Sequence, residues 1–153
     1  MIIVRFVRGN SIPARAIQMF TWGYWNHVEL YTSTGYLGAQ PEGGYLIRPY
    51  NYTSVEKEIF RGIELDAAKE AAFWQWQYAQ IGKPYDWTAI LGLAFHRDWQ
   101  EDDQWFCSEA VAAGFEQINE PILNEYHSQS YKITPRDVAL STRLIDVAKP
   151  EGT

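Results

Sequence analysis

The chain has one cysteine, Cys107, set in DDQWFCSEAVAAGF just ahead of an alanine-rich apolar run. Polar Asp102, Asp103 and Gln104 precede it and the periodic apolar residues follow, which places the thiol at a helix start. The first turn of a helix has unpaired backbone N–H groups and the positive end of the helix dipole. Both favour a thiolate, and both suit an oxyanion developing on an attacked carbonyl. A lone cysteine leading an apolar helix is also what an inert core residue looks like. Nucleophilic chemistry requires more: a base within hydrogen-bond reach of the sulfur, and a polar group that orients the base.

Three histidines could be that base. His96 and His127 lie in polar, irregular stretches, where a solvated surface role is the simple reading. His27 lies inside WNHVELYT, a strand pattern that puts Trp25, His27, Glu29 and Tyr31 on one face. Ser33-Thr34-Gly35 is a turn signal and GYLGAQ the returning strand. A hairpin centred on Thr34-Gly35 sets His27 opposite Glu42, and a slip of one or two residues brings Pro41 or Gln40 there. An oxygen from across the hairpin, or from Glu29 two residues along, would fix the imidazole tautomer. With no two of the His and Cys residues close in sequence, the spacing argues against a zinc site. No phosphate-binding loop, dinucleotide fingerprint or serine-elbow motif occurs. Neither a metal nor a cofactor is expected.

The elements that must position these residues read as α+β. MIIVRFV is a first strand, and Asn10-Ser11 with Pro13 opens a short helix to about Met19. After the His27 hairpin, YLIRPY and EKEIFRGIEL are further strands. Asp66 caps a long helix, AAKEAAFWQWQYAQI, that Gly82 ends. A short helix around DWTAILGLAF, the Cys107 helix to about Ile118, a capped turn of helix at Thr134-Pro135-Arg136-Asp137 and a final strand LIDVA complete the chain. At 153 residues this is one domain, residues 1–153, long enough to form a core without cross-links.

Charge and composition narrow the partners. A net charge of −6 argues against nucleic acid. The start carries Arg5 and Arg8 within its apolar residues, unlike a secretory signal, and no apolar run is long enough to span a bilayer. One cysteine excludes an internal disulfide, so a cytoplasmic protein is expected, with release of a phage or prophage product at lysis as a route outward.

Five pieces in order, WNHVELY, GAQPEGG, GKPYDW, WFCSEAVA and ITPRD, resemble the circularly permuted NlpC-type papain-like hydrolases of the YiiX-like kind. His27 precedes Cys107, the order of the permuted branch. The resemblance spans roughly residues 2 to 140. It implies a papain-like fold in which a small antiparallel sheet packs on two or three helices, with Cys107 as nucleophile and His27 as base. Tyr85 would line the cleft beside the thiol, and the backbone N–H groups of Cys107 and Ser108 would bind the oxyanion. Relatives place an acidic residue near the position of Gly38, which this sequence lacks. Glu29 is preferred for that part, Gln40 next, and Glu42 last.

The expected activity is a cysteine hydrolase acting on an amide, of cell-wall peptide type, or on an ester or thioester. The same thiol could instead transfer an acyl group to an amine, with a lipid substrate lying along Trp22, Trp25, Trp87 and Trp105. A third reading is a binding module that keeps the cleft without turnover. The oligomeric state is not legible.

Overall fold

The computed structural model describes residues 1–9, 18–19, 22–86, 104–123 and 133–151. The helices expected over 11–19 and 86–95 fall largely outside these ranges, as do Trp87, His96 and His127.

Six antiparallel strands form one sheet: β1 (Ile2–Arg8), β2 (His27–Tyr31), β3 (Tyr36–Gln40), β4 (Gly44–Arg48), β5 (Lys57–Ile63) and β6 (Ile145–Val147), in the order β4-β3-β2-β1-β5-β6. Each strand expected from alternation is present, within a residue or two at its ends. Among the described residues, three helices accompany the sheet: α1 (Ala67–Ala79), α2 (Cys107–Gln117) and α3 (Pro135–Ala139). The fold is therefore α+β, as the sequence predicts.

Alternation along the central strands separates two environments. Ile2, Val4, Phe6, Val28, Leu30, Leu37 and Ala39 join one hydrophobic core with Phe73 of α1 and Ala110, Val111 and Phe115 of α2. Each large side chain in it is worth roughly 1.5–3 kcal/mol of burial. Arg5 pairs with Glu29 across the β1–β2 ladder, and both are buried on the opposite face. That face is polar and aromatic, and it holds Glu29 and Arg5.

The β2–β3 hairpin corrects one expectation. Leu30 faces Leu37 and Tyr31 faces Tyr36. Three residues along, that register sets His27 level with Gln40; Glu42 lies beyond β3, exposed in the turn to β4. The turn is centred on Ser33-Thr34, because Thr32 bonds Gly35 twice, by its N–H (2.9 Å) and its hydroxyl (2.8 Å). Gly35 serves a different need: a Cβ there would stand 2.1 Å from the Arg48 carbonyl oxygen of β4.

α2 is buried on all sides from Cys107 to Phe115. Its alanines and Gly114 let it approach both the sheet and α1 closely. At its N-terminus the Glu109 carboxylate accepts the Phe106 N–H at 3.3 Å, half of a capping box. The Ser108 hydroxyl donates to the Ile133 carbonyl at 2.5 Å, just before the Thr134–Asp137 capping box of α3.

Candidate active site

The first residue of β2, His27, and the first residue of α2, Cys107, come together. Cys107 is almost wholly buried, at 1% exposure, as an inert core thiol would be. Its partner is what distinguishes it. Burial pulls the imidazole toward its neutral form, but the charge of Cys107 and a hydrogen bond with it push the other way, joined by Glu29. The balance raises His27 from 6.5 to about 10. The Cys107 sulfur is thus a hydrogen-bond partner of the His27 ring.

The outer nitrogen of the ring is equally well defined. His27 Nε2 lies 3.2 Å from Glu29 Oε2 and 3.3 Å from the amide nitrogen of Gln40. Glu29 can accept only from a protonated Nε2, whereas an amide N–H can donate only to an unprotonated one. Either state of the ring thus finds a partner without moving a heavy atom. With Nε2 so engaged, Nδ1 is left for the thiol. Of the three orienters weighed from the sequence, Glu29 and Gln40 meet the ring, and Glu42 is exposed in the turn to β4. Gln40 acts from the neighbouring strand, as the corrected register requires, and Glu29 from the same strand.

Gly38 borders this arrangement. Gly38 stands level with Glu29 across the β2–β3 ladder, and a Cβ at Gly38 would press to 3.0 Å from the Glu29 Cβ. The carboxylate comes from β2, and glycine on β3 makes room for it.

Tyr52, from the loop after β4, closes the arrangement into a ring. Its hydroxyl donates to Glu29 Oε2 at 3.0 Å and accepts from the Gln40 amide. Glu29 Oε1 accepts from Arg5 Nη1 at 2.6 Å. Burial alone would raise the Glu29 carboxyl; hydrogen bonding to and charge on His27 and Arg5 outweigh it and hold the group ionised, below its usual range. Tyr52 and Arg5 were not singled out by sequence reasoning. A signal for Arg5 does exist: Val-Arg-Phe and Val-Glu-Leu each bury one charge of opposite sign between apolar residues.

The remaining expected residues divide. Tyr85 is buried and forms an isolated parallel bridge with Trp105, which joins GKPYDW to WFC. Burial, then the charges of Cys107 and Asp86, push its hydroxyl far above its ordinary range, so it is an O–H donor near the thiol. Ser108 is fully buried and its hydroxyl is committed to Ile133, which leaves its backbone N–H as its contribution. The Trp105 indole donates to Gln80 at 3.3 Å and meets Trp76 edge-on, so it packs toward the end of α1. Trp25 is half-buried against Phe6 and Tyr24, whereas Trp22 is 87% exposed in a left-handed conformation.

No family model matches the chain, and no curated protein matches it. Solved structures do. The crystal structure of the metalloprotein YiiX from Escherichia coli O157:H7 (DUF1105) superposes with a TM-score of 0.73, covering 97% of this chain and 96% of that one, at 18% identity. A likeness at that identity carries the fold: the six-stranded sheet and its helices have the YiiX-like arrangement.

Proposed function

We propose that this protein is a cysteine hydrolase of the permuted NlpC, papain-like type, working through a Cys107 acyl-enzyme on an amide, ester or thioester carbonyl. The observation that carries the reading is Cys107 at the N-terminus of α2 against an imidazole backed by Glu29 and Gln40. In the resting pair the His27 proton faces the sulfur. The thiolate attacks the carbonyl carbon, and the first-turn N–H groups of Cys107 and Ser108, with the Tyr85 hydroxyl beside them, receive the oxyanion. Collapse expels the leaving group, which takes the His27 proton.

Acylation then changes His27 itself. The strongest influence favouring its proton is the charge on Cys107, and a thioester sulfur has none. The ring relaxes toward ordinary basicity and can accept a proton from water, which attacks the thioester and frees the thiol. Glu29 and Gln40 keep the ring in place throughout. An amine in place of water would make the product a transferred acyl group, and product mass separates the two.

The YiiX neighbour is described as a metalloprotein. Among the described residues no three His, Cys, Asp or Glu side chains gather as a metal site, and both Glu29 oxygens are already taken by Arg5, His27 and Tyr52. The donor set does not fit a metal cage, and no step above passes through one.

The test is covalent capture. Intact-mass analysis after mixing with an activated p-nitrophenyl ester should show one added acyl group in the wild type and none in Cys107→Ala. Alkylation of Cys107 by iodoacetamide at pH 6 should be at least about tenfold slower in His27→Ala. A thiol that neither acylates nor responds to His27 would reduce Cys107 to a core residue.

A further inference from the structure

The acyl-transfer cycle accounts for Cys107, His27, Glu29 and Gln40. It does not account for Arg5. This guanidinium is 3% exposed in the middle of β1 and lies between two carboxylates. Nη1 donates to Glu29 Oε1 at 2.6 Å; Nε and Nη2 reach Glu58 Oε2 at 2.7 and 2.6 Å. Its plane lies 4.1 Å over the Tyr36 ring. Glu58 in turn accepts from Lys149 at 2.8 Å. Charges therefore alternate from the imidazole to the far side of the sheet: His27, Glu29, Arg5, Glu58, Lys149. The buried Arg5–Glu29 part of this row is weak evidence for stability, since well-packed apolar residues of similar volume often serve as well.

We propose that Arg5 is a positioning residue that sets the proton affinity of His27 by sharing the Glu29 carboxylate with it. A buried carboxylate facing only the imidazole would bind the imidazolium too firmly for a base that must cycle. Arg5 occupies one of the two oxygens, neutralises most of the charge, and repels a second cation across the carboxylate. What remains on Oε2 orients the ring without locking its proton. The inference rests on the reading above, in which His27 gives up a proton and takes one back.

Among the described residues, the groups that act on this balance come from every neighbouring element. His27 faces Cys107 of α2, Glu29 of β2 and Gln40 of β3. Glu29 faces Arg5 of β1 and Tyr52 of the β4–β5 loop, while Arg48 of β4 feels its charge. Arg5 faces Glu58 of β5 and the Tyr36 ring of β3. Of these, Arg5 and Arg48 are the cations besides His27. Arg48 is engaged by the carbonyls of Gly38, Glu42 and Gly44, so Arg5 alone bonds the carboxylate.

The experiment follows the His27 ring proton by NMR against pH in a Cys107→Ala background, which removes the sulfur's charge and leaves the Glu29 side to be read. Arg5→Gln should raise the midpoint of His27 by about one unit, a tenfold gain in proton affinity. Arg5→Lys, which restores a cation beside Oε1, should return it to within a few tenths. Because Arg5→Gln leaves Glu58 without its buried partner and can impair folding, Arg5→Gln/Glu58→Gln is measured as well, and it should shift in the same direction by less. A midpoint unchanged or lowered in the folded variants, or one that Lys does not restore, overturns the proposal. The titration uses neither thiol nor substrate. An unreactive Cys107 with a shifted midpoint therefore sinks the hydrolase reading alone, and a reactive Cys107 with a flat midpoint sinks the role of Arg5 alone.

Discussion

Two buried polar networks hold this molecule together, and they differ in kind. On the polar face of the sheet, His27, Glu29, Arg5 and Glu58 form a charged row, with Tyr52 and Gln40 closing a ring at its His27 end. On the helix side, Tyr45 of β4 donates to Gln77 of α1, and Gln77 donates to the Ala110 carbonyl of α2 at 3.0 Å. That second network is neutral, and Tyr45 and Gln77 are fully buried. It fixes where α2 lies, and hence where Cys107 stands. The charged row acts instead on protonation, because each member alters the charge its neighbour can hold. Uncharged bonds place atoms; charged bonds also set pKa values.

Glu29→Leu is the sharpest way to break that contrast. It removes one partner from a buried ionic contact, a change worth about 3 kcal/mol. The pH dependence has a definite sign. The Glu29 carboxyl is depressed in the folded protein, so its stabilisation is complete above the unfolded value near 4.5 and is lost as pH falls through the folded value. Denaturation of wild type and variant should therefore differ fully at pH 7 and converge in acid. His27 runs the other way. Its raised value means that its contribution is present below 6.5 and fades as pH climbs through about 10. Urea melts at pH 3, 7 and 10.5 measure all of this, and a stability gap constant across pH would show that Glu29 acts by shape alone.

The sequence made the elements plain and left the networks largely hidden. Strands and helices follow from local rules: alternation in VRF and VEL, the Asp66 side chain accepting the Lys69 N–H at 2.9 Å, the Thr134 box at α3. His27, Cys107 and Glu29 were legible because each combines a local pattern with a chemical type. Register was not, since Thr32 shifted the turn by bonding Gly35 rather than leaving Thr34-Gly35 at its centre. Arg5 read only as a charge interrupting an apolar start, because its two carboxylate partners arrive from β2 and β5. Tyr52 lies in a loop with no periodicity to mark its direction.

Removing Gln77 should weaken the protein without reaching the charged row. Gln77→Leu strands the buried Tyr45 hydroxyl at a cost of about 2 kcal/mol. In the Cys107→Ala background, where no sulfur charge acts on the ring, its effect on the His27 titration should be nil, in contrast to Glu29→Leu, which moves both. A His27 midpoint that shifted in Gln77→Leu would erase the distinction between the networks.

The smallest and cleanest effect lies at Gly114, where α2 leaves space for the neutral network. A Cβ there would fall 2.2 Å from Gln77 Nε2 and 2.9 Å from Phe73 Cε2. Gly114→Ala alone should destabilise by about 1–2 kcal/mol through overpacking, despite the gain in helix propensity of about 1 kcal/mol that alanine brings. In Gln77→Ala the nearer obstacle is gone, and the same substitution should be neutral or mildly stabilising. The coupling in that double-mutant cycle, at least about 1 kcal/mol by chemical denaturation, measures how far the glycine exists to admit Gln77. Additive effects would mean that the Phe73 ring, rather than the amide, decides how closely α1 and α2 approach.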